Sequence, residues 1–335
     1  MLFVLGWWWD VVEEKQKKGR QGRKPKSEKE PGLPHPWMIE RDLADLGRLL
    51  EEREFGSKEE LAAFLNGIMA LGGVPKAPKR TPLEQAQELV YDAWEAEGEE
   101  RVALARQALR ICPDCADAYV ILAEAAETLE EAKELYEQGV RAGERALGPR
   151  AFKEDVGYFW GLLSTRPYMR ARAGLAECLW HLGKRKEAIA HYQDMLRLNP
   201  NDNQGIRYIL IQRLLAEWEN EAAEELLSRY PDDPTAWWAY SRALLTFRRE
   251  GASPNANAAL EEAIRGNPHV VPYLLGKKRF SKELPAYISI GDETEAVSYA
   301  VDAIEAWRKT PGALAWLAKR WPKGSGRAMA GPKQC

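Results

Sequence analysis

Reactive side chains at short, regular spacing are few in this chain. Cys112-Pro-Asp-Cys115 is a CxxC pair. Such a pair does dithiol chemistry when a helix N-terminus lowers one thiol's pKa inside a βαβ unit. The pattern around it is helical, so the pair is read as a turn between two helical repeats. Cys178 and His181 lie three apart on a helical stretch and share a face. With Cys112 and Cys115 they would complete a Cys3His zinc set, but no spacing brings the two pairs together, and Cys178 reads as a small core residue. HExxH and GxSxG are absent. Gly276-Lys277-Lys278 lacks the leading glycine and the hydroxyl of a phosphate loop, and Gly324-Ser325-Gly326 follows a helix pattern rather than a strand. The acidic run from Glu124 to Glu134 reads as a solvated helix face. The expectation is a protein with no catalytic residues, no metal and no cofactor.

The elements that would position any site are repeats. Asn-Pro or Asp-Pro steps recur at Pro200, Pro234 and Pro268, spaced by 34 residues, the period of the tetratricopeptide repeat. Ala188, Ala222 and Ala256 keep the same step, as do Tyr192, Leu226 and Leu260. Each repeat is two antiparallel helices, A and B. The alanine lets B approach A, the bulky residue fills the wedge to the next repeat, and the proline ends B. Pro82–Pro113 and Ala116–Gly143 read as two looser units. Residues 144–169 form an insertion with aromatic residues at 158–160 and a short helix. The predicted fold is all-α: a tetratricopeptide-like helical-hairpin solenoid over 81–268, with a C-terminal helical cap over 269–320. The cap holds a helix from about Asp292 to Arg308 and another after Pro311. Residues 37–73 form a small N-terminal hairpin, with Ile39, Leu43, Leu46 and Leu50 on one face and Ser57 with Glu60 as a capping box. The first 30 residues carry eight bases against five acids, so 1–36 is expected to be a disordered basic leader. Residues 321–335 are expected to be a disordered tail.

Composition limits the function classes. Of 335 residues, 45% are hydrophobic and 30% charged, and the net charge is −3. With a basic leader, the body is more acidic still, which argues against a specific nucleic-acid partner. The longest apolar run, Met1–Trp9, falls short of the ~20 residues of a membrane span. It also lacks the flanks of a signal peptide. Four cysteines in so long a chain make no disulfide framework, which points to a reducing compartment. A cytoplasmic protein is expected.

Two stretches carry a more particular likeness: DCADAYVILAEAAETLEEAKELYEQGVRAGE at 114–144, and the segment 267–317 with NPHV, YLL, the GDE–EA step and the W–GAL ending. Over about residues 100–320 the chain resembles the suppressor of tumorigenicity 7 protein family. The resemblance implies an all-helical repeat fold and carries over no catalytic residue. Eukaryotic members look membrane-associated through apolar segments near the N-terminus, and this sequence has only Met1–Trp9 in that place.

The functional expectation is a non-catalytic scaffold that holds a protein or peptide against the A helices. Counting back from the three prolines gives Arg170 and His181, then Gln204, Arg207 and Tyr208, then Trp238 and Arg242 as groove residues. Arginine and aromatic residues are the usual anchors of protein interfaces, and arginine grips carboxylates with two parallel bonds. The expected partner is an acidic or C-terminal peptide. Arg207, Tyr208, Trp238 and Arg242 would form the centre, with Arg207 and Trp238 facing solvent. The second reading is an enzyme or regulator with a pocket between the 144–169 insertion and the C-terminal cap, where Arg166, His181 and His269 would be the polar residues.

Overall fold

The computed structural model describes residues 36–79, 81–281, 285 and 287–321. The expectations for the leader before residue 36 and the tail after 321 lie outside the described residues. Among the described residues the regular structure is fifteen α-helices and one short 3-10 turn, with no strand. No helix among them is long and apolar enough to cross a membrane. The fold is tetratricopeptide-like and divides into two compact units between Asn201 and Asp202.

The first unit holds α1 (Pro36–Glu51), α2 (Lys58–Ala70), α3 (Pro82–Glu95), α4 (Gly98–Ile111), α5 (Ala116–Glu124), α6 (Leu129–Glu154), α7 (Arg166–His181) and α8 (Arg185–Leu198). Hairpins α3/α4, α5/α6 and α7/α8 supply the A and B helices. Thr81 opens α3 by accepting the Glu84 N–H, Glu84 returns the contact to the Thr81 N–H, and Pro82 sits where its missing N–H costs nothing. Ala86, Val90, Ala93, Ala105, Ala108, Ala118 and Ile121 fill the seam of the first hairpins. Their small size permits close approach of the helix axes.

Gly143 does not end the second hairpin as the sequence suggested. α6 continues to Glu154, broken only at Gly148, where φ is 67° and ψ 170°. Gly143 serves contact instead: a Cβ there would lie 2.9 Å from the Tyr168 Cβ, and one at Gly174 would lie 2.1 Å from the Tyr136 ring. The insertion forms no separate α-helix: its start continues α6 to Glu154, its end opens α7 at Arg166, and between them lies a 3-10 turn, Leu163–Thr165. Its Phe159 is fully buried against Phe152 and Tyr168, with ring centroids 5.2 and 6.0 Å away.

Both helices of the N-terminal segment form, with Ser57 capping α2 through the Glu60 N–H and Glu60 reaching back to the Gly56 N–H. Its packing differs from expectation. Ile39 and Leu43 are 48% and 44% exposed, whereas Glu40 and Asp45 are the buried residues of α1, at 5% and 2%.

The second unit holds α9 (Ile206–Ala216), α10 (Asn220–Arg229), α11 (Ala236–Glu250), α12 (Pro254–Gly266), α13 (Val270–Leu274), α14 (Glu293–Lys309) and α15 (Ala313–Arg320). Ala256 and Leu260 are fully buried and Leu226 nearly so. In the middle repeat Ala223, not Ala222, is the fully buried alanine. The turn explains the slip. The left-handed residue between A and B is Gly183 in one repeat, but Trp218 in the next, 35 residues on instead of 34, so helix B starts one residue late.

Past Pro268 the cap takes the place of another repeat: α14 packs on α9, α11 and α13, and α15 on α12 and α14. Tyr240, Trp238, Tyr299 and Trp307 are fully buried, and the Trp307 indole N–H donates to the Tyr299 hydroxyl at 2.9 Å. A buried polar knot ties the cap down. Glu295, 1% exposed, accepts the Ala236 N–H, the Asn267 side-chain amide and the Gly291 N–H, each at 2.8 Å. The first of these is an orphan donor at the start of α11, satisfied here by a carboxylate from a distant helix.

Candidate binding groove

In the first unit the A helices α3, α5 and α7 lie side by side, and α1 packs on α3 and reaches α7 through Glu40. Arg170, in the second turn of α7, is buried, with its side chain 11% exposed. Its Nε and Nη2 donate to Asp117 of α5 at 2.7 and 2.5 Å. Its Nη1 and Nη2 donate to Glu40 of α1 at 3.0 and 2.9 Å. The guanidinium also lies 5.0 Å from the Trp94 ring of α3. One arginine thus bridges a carboxylate of the repeats and a carboxylate of the N-terminal helix.

The neighbourhood is arranged to keep these charges. Burial pushes the Glu40 carboxyl up, but the charges and hydrogen bonds of Arg170 and Arg166 outweigh it and hold it below its ordinary value. Burial lowers the Arg170 pKa, and Asp117 and Glu40 together raise it well above the usual guanidinium value. Arg166 donates from Nη1 to Glu40 at 3.1 Å and from Nε to the Trp160 carbonyl at 3.0 Å. Gln87 of α3 donates to Asp117 at 2.9 Å. Trp37, at the start of α1, packs on Trp94 with centroids 6.0 Å apart.

Further along α1, Arg41 pairs with Glu88, with Asp92 at 3.0 Å and with Glu95 at 3.4 Å, all on α3. Asp45 accepts from Lys79 at 2.8 Å, the Ala77 N–H at 3.0 Å and Arg48 at 2.5 Å. Beside this seam is a cavity of about 340 Å3, walled by Leu43 and Gly47 of α1, Leu83 of α3, Leu147 of α6, and Leu163 and Tyr168. All its lining residues lie between 40 and 168. The insertion therefore makes this cavity with α1 and α3, and no residue of the C-terminal cap lines it.

His181 sits eleven residues beyond Arg170, about 16 Å along the same helix. Its Nε2 contacts Glu177 at 2.9 Å, and Glu177 also accepts the Tyr192 hydroxyl at 2.7 Å. Burial, then the charge of Glu177, pushes the Cys178 thiol up to about 12. Burial, followed by Asp117, does the same to Cys115, also to about 12. Both are the reverse of an activated thiol. Among the described residues no group of three or more His, Cys, Asp or Glu side chains is arranged to hold a metal ion.

The remaining sequence-derived residues lie in the second unit. Arg207 donates from Nε to Asp233 at 2.9 Å and from Nη1 to Asp202 at 3.1 Å, and its Nη2 meets the Tyr208 hydroxyl at 2.5 Å. Tyr208 donates in turn to Asp233 at 2.9 Å. The guanidinium is ringed by Tyr208, Tyr230 and Trp238, 4.3, 5.0 and 5.8 Å from their centroids. Burial pushes Asp202 up to about 6 against the pull of Arg207. Gln204 is half-buried, its side-chain carbonyl sealed off without a hydrogen bond. Arg242 is exposed.

Trp238 corrects the expectation. It is fully buried, edge-on to Tyr208 and Tyr230 at 5.6 and 6.0 Å, and does not face solvent. Arg207 is likewise only 18% exposed, its charge already met by Asp202 and Asp233. Helical spacing located both residues on an A helix but could not tell its solvent side from its core side. The sequence reading also missed Glu40 and Asp117. Their one available signal was an acid within an otherwise apolar helical stretch, which every solvated helix shares.

Helix pairs at a 34-residue period, with arginine–carboxylate stations on their A helices, define a tetratricopeptide-like helical-hairpin protein. Residues 79–332 match the family described as ST7 protein. The chain belongs to that family. It is 31% identical over 278 residues to Protein ST7 homolog of Caenorhabditis elegans, covering 70% of this chain and 50% of that protein. It is 30% identical over 263 residues to Suppressor of tumorigenicity 7 protein-like of Rattus norvegicus, covering 71% and 47%. The chain therefore spans about half the length of the curated relatives it matches. Among solved structures, YrrB, described as a TPR protein with an unusual peptide-binding site, is 20% identical with a TM-score of 0.38. That match covers 55% of this chain and 84% of YrrB. Helices α1 and α2 precede the residues that match the family.

Proposed function

We propose that this chain is a non-catalytic interaction scaffold that holds a segment of a partner protein against its A helices. The carrying observation is the Arg170 station, where a buried guanidinium of the repeats grips a carboxylate presented by a helix laid across them. Bidentate pairing of this kind combines affinity with orientation. Arg166, His181 and Arg170 form the recognition face of the first unit, and its ligand is acidic. Arg207, Tyr208, Gln204 and Arg242 form a separate station on the second unit. The thiols of Cys112, Cys115 and Cys178 are unpaired, which supports a reducing, cytoplasmic setting. A second reading, a small-molecule regulator, rests on the mostly apolar cavity beside α1.

The test is a peptide-display selection on purified protein, repeated with Arg166→Glu and Arg242→Glu. Acidic peptides should be recovered and should lose at least tenfold in affinity for one variant. Recovery of peptides indifferent to both variants, or of none, would refute the groove.

A further inference from the structure

We propose that α1 is a displaceable intramolecular ligand of the α3/α5/α7 face, and that a partner replaces it with a short helix carrying an acid, an adjacent base and a second acid five residues after the first. This rests on the scaffold reading and specifies its ligand.

Three observations converge on it. Burial on α1 is inverted. The residues it sinks into the face are Glu40 and Asp45, while Met38, Ile39 and Leu43 are 45%, 48% and 44% exposed. A helix that is a permanent part of a core buries its apolar stripe; this one leaves Trp37, Leu46, Leu49 and Leu50 only half-buried and seals off two of its acids instead. Second, each charge has a counterpart on a different element. Glu40 meets Arg166 and Arg170 of α7, Arg41 meets Glu88 and Asp92 of α3, and Asp45 meets Lys79 and the Ala77 N–H ahead of α3. The face thus reads a sequence of acid, base and acid at fixed offsets along one helix. Third, the occupied face lies almost wholly within the residues that match the family, which begin at 79, whereas α1 lies before them.

The energetics favour exchange over permanence. Ion pairs shielded from water gain Coulomb energy but lose hydration of both partners, so the net attachment is small for so many contacts. A competing helix with the same charge code recovers the same pairs and has to displace only the Trp37–Trp94 contact and half-buried leucines. The connection to α3 runs through Gly72 and Gly73, with Gly72 at φ 78°. That gives α1 and α2 a swivel that does not disturb the Thr81 cap.

The experiment uses the full chain and a fluorescein-labelled synthetic peptide of residues 36–52. Full chain carrying Glu40→Gln with Asp45→Asn should release α1, so that its amides exchange with deuterium at least tenfold faster while those of α5 and α7 are unchanged. This variant should bind the peptide at least tenfold tighter than wild type, and a peptide carrying the same two substitutions should not bind. Unchanged exchange of α1 would overturn the proposal, because the carboxylates would not be what holds it. Release of α1 without peptide binding would overturn it too, yet leave the display selection free to support the scaffold on another surface. If the double variant fails to fold, wild-type protein in rising sodium chloride reads the same quantity. Selective acceleration of α1 exchange supports the proposal, and loss of protection in α1, α5 and α7 together refutes it.

Discussion

Removing the guanidinium of Arg170 should be far more damaging than removing the carboxylate it shares with α1. Arg170→Met keeps the side-chain stem and deletes four hydrogen bonds. Asp117, fully buried, is then left with Gln87 as its side-chain partner. Glu40 retains Arg166. Breaking one side of a buried pair leaves an uncompensated charge and costs about 3–5 kcal/mol. For a unit of this size each kcal/mol shifts Tm by about 2–4 °C, so a fall of roughly 10 °C is expected. Glu40→Gln leaves Arg170 paired with Asp117 and should cost about 1 kcal/mol, the scale of one hydrogen bond. Because the two residues touch, the double variant should be less destabilised than the sum, with a coupling of about 0.5–3 kcal/mol. Arg170→Lys should not rescue, since an ammonium cannot span two carboxylates in one plane. Urea denaturation followed by circular dichroism at 222 nm gives all four values. An Arg170→Met midpoint equal to the parent's would refute the assignment of Asp117 as a buried partner that depends on Arg170.

Three further expectations use the same measurements. Ala223→Leu should overpack the α9/α10 contact and cost about 1–3 kcal/mol, while Ala222→Leu, half-buried, should cost well under 1 kcal/mol; the reverse order would restore the strict 34-residue register. Glu295→Ala should strand the Ala236 N–H, the Gly291 N–H and one N–H of the Asn267 amide, whose other N–H keeps the Asp292 carbonyl, and cost about 2–4 kcal/mol at the usual penalty per unsatisfied buried group; a loss below 1 kcal/mol would mean that this knot does not hold the cap. Glu40, Asp45 and Glu88 all titrate below their ordinary values, so their contribution is present above the usual carboxylate range and lost as pH falls through the depressed values. Deuterium exchange should therefore find α1 protected at pH 5–7 and selectively released only below about pH 4; release near neutral pH would contradict the charge-held dock.

What could be read from the sequence, and what could not, follows from how far apart the interacting residues lie. The B-helix prolines at 200, 234 and 268 report a local event, the end of one hairpin, and they locate the buried alanine of α8 and α12 to the residue and that of α10 to within one. The family-like pieces NPHV and GDE–EA turned out to be one object. Asn267 and Glu295 meet in the knot that fastens the cap, so two pieces 28 residues apart in sequence build one contact. The register slip at Ala223 depended on a non-glycine residue, Trp218, taking a left-handed conformation. That is rare enough that no spacing rule anticipates it. The inverted packing of α1 was hidden for a stronger reason. Apolar periodicity assumes that a helix buries its apolar side, and the partners that override this in Glu40 lie 126 and 130 residues away.

That separation has a consequence for synthesis. Glu40 leaves the ribosome long before the arginine that receives it, 130 residues later. At about 5–20 residues per second the interval is about 6–26 s. The intervening hairpins make mostly short-range contacts and can assemble as they emerge, since such closures are fast. During that time Arg41 and Asp45 can already meet Glu88, Asp92 and Lys79, but Glu40 waits for α7, and the Met38, Ile39 and Leu43 side chains are as open to a chaperone as they remain in the finished fold. The first described helix to be made is thus completed only when α7 arrives, and any factor that engages it on the nascent chain does so while Glu40 still lacks its two arginines.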